Sequence, residues 1–216
     1  MTDPHSKNIL VFGSTGGVGK AFVEQALAKG HRVTAFLRDR SKLAVDDPNL
    51  TIIDGDLFHE PSVKSALTPD LDAVFTAYGF SNKKPDNKHE RVTQAVVEGM
   101  TASGVSRLVS VSSMGASDSP GTDPFWVRFV AKVILKRTIT DKTLQESVLK
   151  TSDLEWTILR PPMLVRKPAT GEYTVWEGQK PPNKIAWKVP REDVAAEGLR
   201  CIESGDYTHK AMQISS

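Results

Sequence analysis

Three glycines, Gly13, Gly16 and Gly19, follow directly on a short apolar run, Ile9-Leu10-Val11-Phe12. The residues after them, Phe22, Val23, Ala26 and Leu27, repeat with helical spacing. A strand buried on both faces, a glycine turn and a helix together form the context in which such glycines serve a dinucleotide. The three act for different physical reasons. Gly13 takes a tight turn, Gly16 lets backbone approach a pyrophosphate, and Gly19 lets the helix pack close to the strand. The helix start then offers unpaired N–H groups and a partial positive charge to phosphate oxygens. Gly13, Ser14, Thr15, Gly16, Gly17, Val18 and Gly19 are therefore expected to line a dinucleotide site. The spacing is GxxGxxG, and Lys20 is followed by Ala21 where a P-loop needs Ser or Thr.

The end of the second strand distinguishes the two dinucleotides, because an acidic side chain there accepts from a ribose hydroxyl whereas an arginine meets a 2′-phosphate. Here Phe36-Leu37 runs into Arg38-Asp39-Arg40, with Lys42 close behind. Arg38 presents a planar fork of donors suited to phosphate, so NADP(H) is expected over NAD(H), with Asp39 left as a ribose acceptor. Past the third strand, Asp56 is placed to accept from an adenine amino group and Leu57 to pack on the ring. An Asx turn capping the next helix is compatible with both.

These residues need a scaffold, and the chain supplies one in order. With 216 residues it is long for one α/β domain and short for two. Strands are predicted at Arg32–Leu37, Leu50–Ile53, Asp72–Thr76, Arg107–Ser112, Trp156–Leu159 and Ala211–Ile214. Helices are predicted at Glu60–Leu67, His89–Ser103, within Phe125–Thr151, and at Arg191–Glu203. Repeated βα units imply a mostly parallel, doubly wound Rossmann-type sheet with helices on both faces and right-handed crossovers, one domain over residues 1–216. Residues 1–7 read as a polar tail. The stretch 161–190, rich in Pro, Gly, Lys and Trp, breaks the alternation and is expected to fold over the ligand-binding edge as a substrate-side loop.

Composition narrows the partners. A net charge of +2 gives no electrostatic case for nucleic acid or membrane. One cysteine, Cys201, excludes an intrachain disulfide framework and agrees with a reducing compartment. The expectation is a cytoplasmic protein, monomeric or weakly self-associating. The five histidines show no metal-ligand spacing, so no metal is expected. The basic amphipathic run Phe125–Arg137 reads as a core-packing helix with a solvated face.

The glycine turn, Leu37-Arg38-Asp39, Gly55-Asp56-Leu57, Val111-Ser112-Ser113 and Thr157-Ile158-Leu159-Arg160-Pro161-Pro162 together resemble the atypical short-chain dehydrogenase/reductases. The nearest branch is the NAD(P)-binding, NmrA-like group that includes the flavin-reducing biliverdin reductases. Val189-Pro190-Arg191-Glu192-Asp193-Val194-Ala195 is similar to that group's late helix start. The resemblance implies Lys142 as the helix lysine that bonds the nicotinamide ribose, Ser112 and Tyr78 near the nicotinamide, and Pro161 and Met163 in the loop against it. Ser112 or Ser113 can bond a carboxamide or substrate oxygen, and Ser113 serves equally as a loop cap. Catalytic members carry a tyrosine four residues before the lysine. Here that position is Thr138, whose hydroxyl is a far weaker acid than a phenol with a pKa of about 10. The reaction expected is therefore hydride transfer to a flavin, quinone-like or other conjugated acceptor that takes its proton from solvent, with Ser112 and Lys142 as the active-site groups. The other class in the group is a dinucleotide-sensing regulator that works through protein partners.

Overall fold

A computed structural model describes residues 6–80, 87–117, 136–178 and 180–216, without the side chains of 136–138. The strands are β1 Asn8–Phe12, β2 Arg32–Leu37, β3 Leu50–Asp54, β4 Ala73–Thr76, β5 Arg107–Val111, β6 Glu155–Arg160, β7 Met163–Val165, β8 Thr174–Glu177, β9 Lys188–Pro190 and β10 Lys210–Ser215. The helices are α1 Gly17–Ala28, α2 Glu60–Ser65, α3 Lys88–Ser103, α4 Lys136–Lys150 and α5 Arg191–Ser204. Most of the basic run 125–137 and of the loop leading into it lies outside the described residues.

The main sheet has the order β3-β2-β1-β4-β5-β6-β10-β8. All its pairings are parallel except β10 with β8. The first six strands thus follow the Rossmann order, with the reversal between β1 and β4 opening a crevice at their carboxyl ends. Side chains of β1 alternate between the two faces of the sheet. Ile9 and Val11 join Phe22, Phe75 and Leu199 beneath α1 and α5, whereas Leu10 and Phe12 join Val96, Met100 and Ile158 beneath α2, α3 and α4. All five β1 residues are buried, and from Ile9 to Phe12 the strand reads as a continuous apolar run. Phe22 stacks flat on Phe75 at 3.9 Å between ring centroids and fastens α1 over β4.

The stretch 161–190 is more regular than its composition suggests. It contributes β8 to the sheet edge, antiparallel to β10, and pairs β7 with β9 in a small parallel sheet. Three- and four-residue strands interrupted by Pro and Gly give too little periodicity to be read from sequence. Trp176, expected in a loop, lies buried in β8 opposite Gln213. Strand β5 ends at Val111, which leaves Ser112 one residue past it.

Candidate active site

The glycine turn closes over the end of β1 through Gly16 N–H donating to Gly13 O at 3.0 Å. Gly13 has φ +87°, and a Cβ there would lie 2.7 Å from the backbone of Ala77 and Tyr78. Both facts require glycine. At Gly19 a Cβ would lie 2.1 Å from Gly13 O, so α1 rests directly on the turn. Gly16 differs: its backbone is extended, a Cβ would meet only Gly13 O at 3.2 Å and Ala77 O at 3.6 Å, and the residue is exposed. Packing thus requires glycine at 13 and 19, whereas at 16 a Cβ would be tight, needing the neighbouring backbone to give by a few tenths of an ångström. No side chain caps α1 and no acidic residue occupies its first turn, so the N–H groups ahead of Lys20 remain available to a ligand. Ser14 is fully buried and donates its hydroxyl to Phe36 O at 3.1 Å, tying the turn to β2. Thr15 and Gly17 are exposed beside Gly16, and Val18 is buried under the helix start.

Two residues beyond Phe36, Arg38 is exposed and has no partner among the described residues, whereas its basic neighbours are engaged. Arg40 pairs with Asp54 at 3.0 Å, and Lys42 faces Asp39 at 3.5 Å. Asp39 caps the turn at Arg40–Lys42, and the hydroxyl and N–H of Ser41 hold its carboxyl below the usual carboxylate range. Asp56 accepts from Phe58 N–H at 3.0 Å, the Asx turn anticipated ahead of α2. Leu57 is half-buried against the core on the α3 side.

At the ends of β4, β5 and β6 the structure assembles a buried polar network. Lys142, on the sheet-facing side of α4, donates to Gln145 Oε1 at 2.8 Å, Val111 O at 3.1 Å and Tyr78 O at 3.3 Å. Three acceptors match the three protons of an ammonium. Removal from water opposes that charge and brings the amine's pKa down to about 7, with Glu146 and Asp141 pulling the other way. Gln145 passes the chain on to Ser110, which also receives Thr76, each at 2.8 Å. Beside it Ser112 donates to Glu146 Oε1 at 2.6 Å. The same carboxylate is gripped by Arg160 through Nε at 2.9 Å and Nη2 at 2.5 Å. Glu146 is completely buried and Arg160 nearly so, which makes this the pairing that fixes α4 against β6.

Tyr78 contributes its backbone to this site and turns its phenol away. Its ring is buried, 5.7 Å from Lys142 Nζ, and its hydroxyl lies 2.6 Å from Thr93 Oγ1. Thr93 donates its own proton to His89 O, so Tyr78 is the donor of the pair. Burial pushes the phenol well above its ordinary pKa. Of the other two tyrosines, Tyr173 donates to Glu197, and Tyr207 lies under Arg200. Pro161 is buried at the end of β6 with its carbonyl accepting from Met114, and Met163 is exposed at the mouth. Among the described residues the Ser113 hydroxyl makes a local contact to Met114 O at 3.2 Å.

The structure thus brings Ser112, Lys142, the Tyr78 carbonyl and Pro161 together on one edge of the crevice, with the glycine turn in its centre and Arg38 beyond β2. Glu146 and Gln145 were not singled out from the sequence. Their spacing from Lys142, four and three residues along one helix, was the available signal. Among the described residues no cluster of His, Cys, Asp and Glu has the makings of a metal site, and no helix is long and apolar enough to cross a membrane.

Comparison with known proteins agrees with this geometry. The NAD(P)H-binding family model matches residues 13–204, and the chain belongs to that family. An uncharacterised chloroplast protein of Arabidopsis thaliana is 31% identical over 219 residues, covering 92% of this chain and 74% of that one. The anaerobilin reductase ChuY of Escherichia coli O157:H7 superposes with a TM-score of 0.80 at 26% identity, covering 96% of both chains. A short-chain dehydrogenase/reductase of Veillonella parvula in complex with NADP shares the fold at a TM-score of 0.82, with 18% identity and 97% and 94% of the two chains covered.

Proposed function

We propose that this protein is an NADPH-dependent reductase that passes a hydride to a conjugated small-molecule acceptor such as a flavin or quinone. The observation that carries the reading is the state of the groups at the nicotinamide edge. Lys142 and Ser112 are held by internal acceptors, and none of the three tyrosines presents its phenol there. Such a wall orients a ring and excludes water. Its described side chains present no phenol as an acid, and the Lys142 amine, though brought down to about 7, commits its protons to three internal acceptors. An acceptor that stabilises its own added charge and takes a proton from solvent suits it. The bound nicotinamide supplies the hydride, and the protein supplies pose and surroundings.

The preference for NADP(H) over NAD(H) rests on Arg38, the cation of its cluster that has no partner among the described residues. The helix start without a cap would favour the pyrophosphate, Asp56 and Leu57 would hold the adenine, and Ser112, Pro161 and Met163 would border the nicotinamide. The similarity to anaerobilin reductase supports a reductase of an extended conjugated system. A cytoplasmic setting and a monomeric or weakly associating state complete the reading. Oxidation of NADPH, followed at its near-ultraviolet band with flavins, quinones and aldehydes in turn, tests it. Turnover confined to flavins or quinones is expected. Tight cofactor binding without turnover of any acceptor points instead to a dinucleotide sensor, for which the same committed network serves equally well.

A further inference from the structure

A second concave site adjoins the glycine turn on the α1 and α5 side. It encloses about 410 Å³ and is bordered by Gly17, Lys20 and Glu24 of α1, Arg166 and Lys167 after β7, and Arg191 and Glu192 at the start of α5. Four cations thus face two carboxylates. Glu24 lies 3.8 Å from Lys20, and Glu192 is engaged by Ala169 N–H at 2.6 Å. Arg166, Lys167 and Arg191 have no carboxylate partner among the described residues. Three such cations converging on one hollow repel each other, a cost that an anion relieves.

The hollow is built, not incidental. Asp193, buried at the start of α5, receives the Thr170 N–H and hydroxyl and the Gly171 N–H at 2.8–3.1 Å. With Glu192 on Ala169, it clamps residues 169–171 of the loop that follows Arg166 and Lys167. Arg191 is packed across the turn: a Cβ on Gly17 would lie 2.4 Å from its Cδ. Gly17 is therefore the residue that admits the arginine beside the pyrophosphate cradle. From Met163 at the nicotinamide edge to Arg166 is three residues of strand, roughly 10 Å.

We propose that this hollow is a second oxyanion site, binding a phosphate or carboxylate through Arg166, Lys167 and Arg191. Two sources offer that chemistry. One is the cofactor's own pyrophosphate, reached by Arg191 over Gly17. The other is an acidic arm of a second ligand lying along β7.

The test is calorimetry with inorganic pyrophosphate as probe, on the protein alone and on the protein saturated with NADP+. The variants are Arg166→Ala/Lys167→Ala and Arg191→Gln, with Lys180→Ala/Lys184→Ala as a control that matches the double variant's loss of two charges elsewhere. Wild type and control are expected to bind pyrophosphate alike, and both site variants at least tenfold more weakly, with melting temperatures showing that each is folded. If binding survives NADP+ saturation, the site serves a second ligand. If saturation abolishes it and the variants also weaken NADP+, it serves the cofactor. Site variants that bind pyrophosphate and NADP+ as wild type does, a control that loses binding equally, or wild type that binds no pyrophosphate in either state would overturn the proposal.

Discussion

Replacing Gly16 and Gly19 one at a time by alanine should separate binding from folding within a single turn. At Gly19 the new Cβ lies 2.1 Å from Gly13 O and 2.8 Å from Gly13 C, both backbone atoms that cannot swing aside. Overpacking of this kind costs about 1–3 kcal/mol, and backbone neighbours put it at the upper end. The gain in helix propensity offsets about 1 kcal/mol. The net loss of about 2 kcal/mol corresponds to a fall in Tm of about 4–8 °C for a chain of this size. At Gly16 the nearest atom is 3.2 Å away and φ is −76°, ordinary for alanine. Its cost is offset by the lower entropy of the unfolded chain, about 0.4–1 kcal/mol, so Tm should stay within about 2 °C. If Gly16 lies where a pyrophosphate approaches the backbone, as proposed, Gly16→Ala should weaken NADPH at least tenfold, about 1.4 kcal/mol. Calorimetry and thermal melts on the two variants read both quantities. Wild-type NADPH affinity in Gly16→Ala, with a loss of Tm matching that of Gly19→Ala, refutes the division of labour.

Other expectations follow from single groups. Arg38→Ala should weaken NADPH by about 1.5–3 kcal/mol, roughly tenfold to a hundredfold, and leave NADH almost unchanged in fluorescence titrations. Glu146→Gln removes the buried carboxylate charge that Arg160 grips; breaking such a buried pair costs about 3–5 kcal/mol, so Tm should fall by about 6–20 °C. Lys142 keeps a pKa of about 7 in the fold against 10.5 in the unfolded chain. Between those values the unfolded chain binds the extra proton, so this group's contribution to stability rises with pH by up to about 1.4 kcal/mol per unit and is lost as pH falls through about 7. Urea melts across that window should show the slope in wild type and its disappearance in Lys142→Met.

The sequence was most legible where one residue type has one physical reason to be present. The glycines at 13 and 19 mark a tight turn and a close approach, and both are visible as spacing. The alternation of buried runs and helical stripes revealed the strands and helices of the Rossmann half, because strands buried on both faces are apolar without interruption. Arg38 could be placed at the end of β2, but that Arg40 and Lys42 are neutralised and Arg38 is not depends on Asp54 and Asp39 in three dimensions. Glu146 looked like one more helix carboxylate until β6 brought Arg160 to it. The hollow beneath Arg191 draws on α1, the β7 loop and α5, with α1 well over a hundred residues from the other two, and no local pattern reports such a meeting. Tyr78 was expected near the nicotinamide from its position after β4, and its backbone carbonyl accepts from Lys142. Its side chain follows the core instead, because the phenol finds Thr93 and an apolar bed on α3.

The central claim, that the chain reduces conjugated acceptors with NADPH and without a protein acid, is tested most directly by steady-state NADPH oxidation with a flavin or quinone as a function of pH. Turnover whose kcat shows no limb assignable to an enzyme acid between about pH 6 and 9, with Thr138→Ala changing kcat less than about tenfold, about 1.4 kcal/mol, is the predicted result. A basic limb that disappears in Thr138→Ala or Lys142→Ala, or the absence of turnover with every acceptor while NADPH binds tightly, would contradict it.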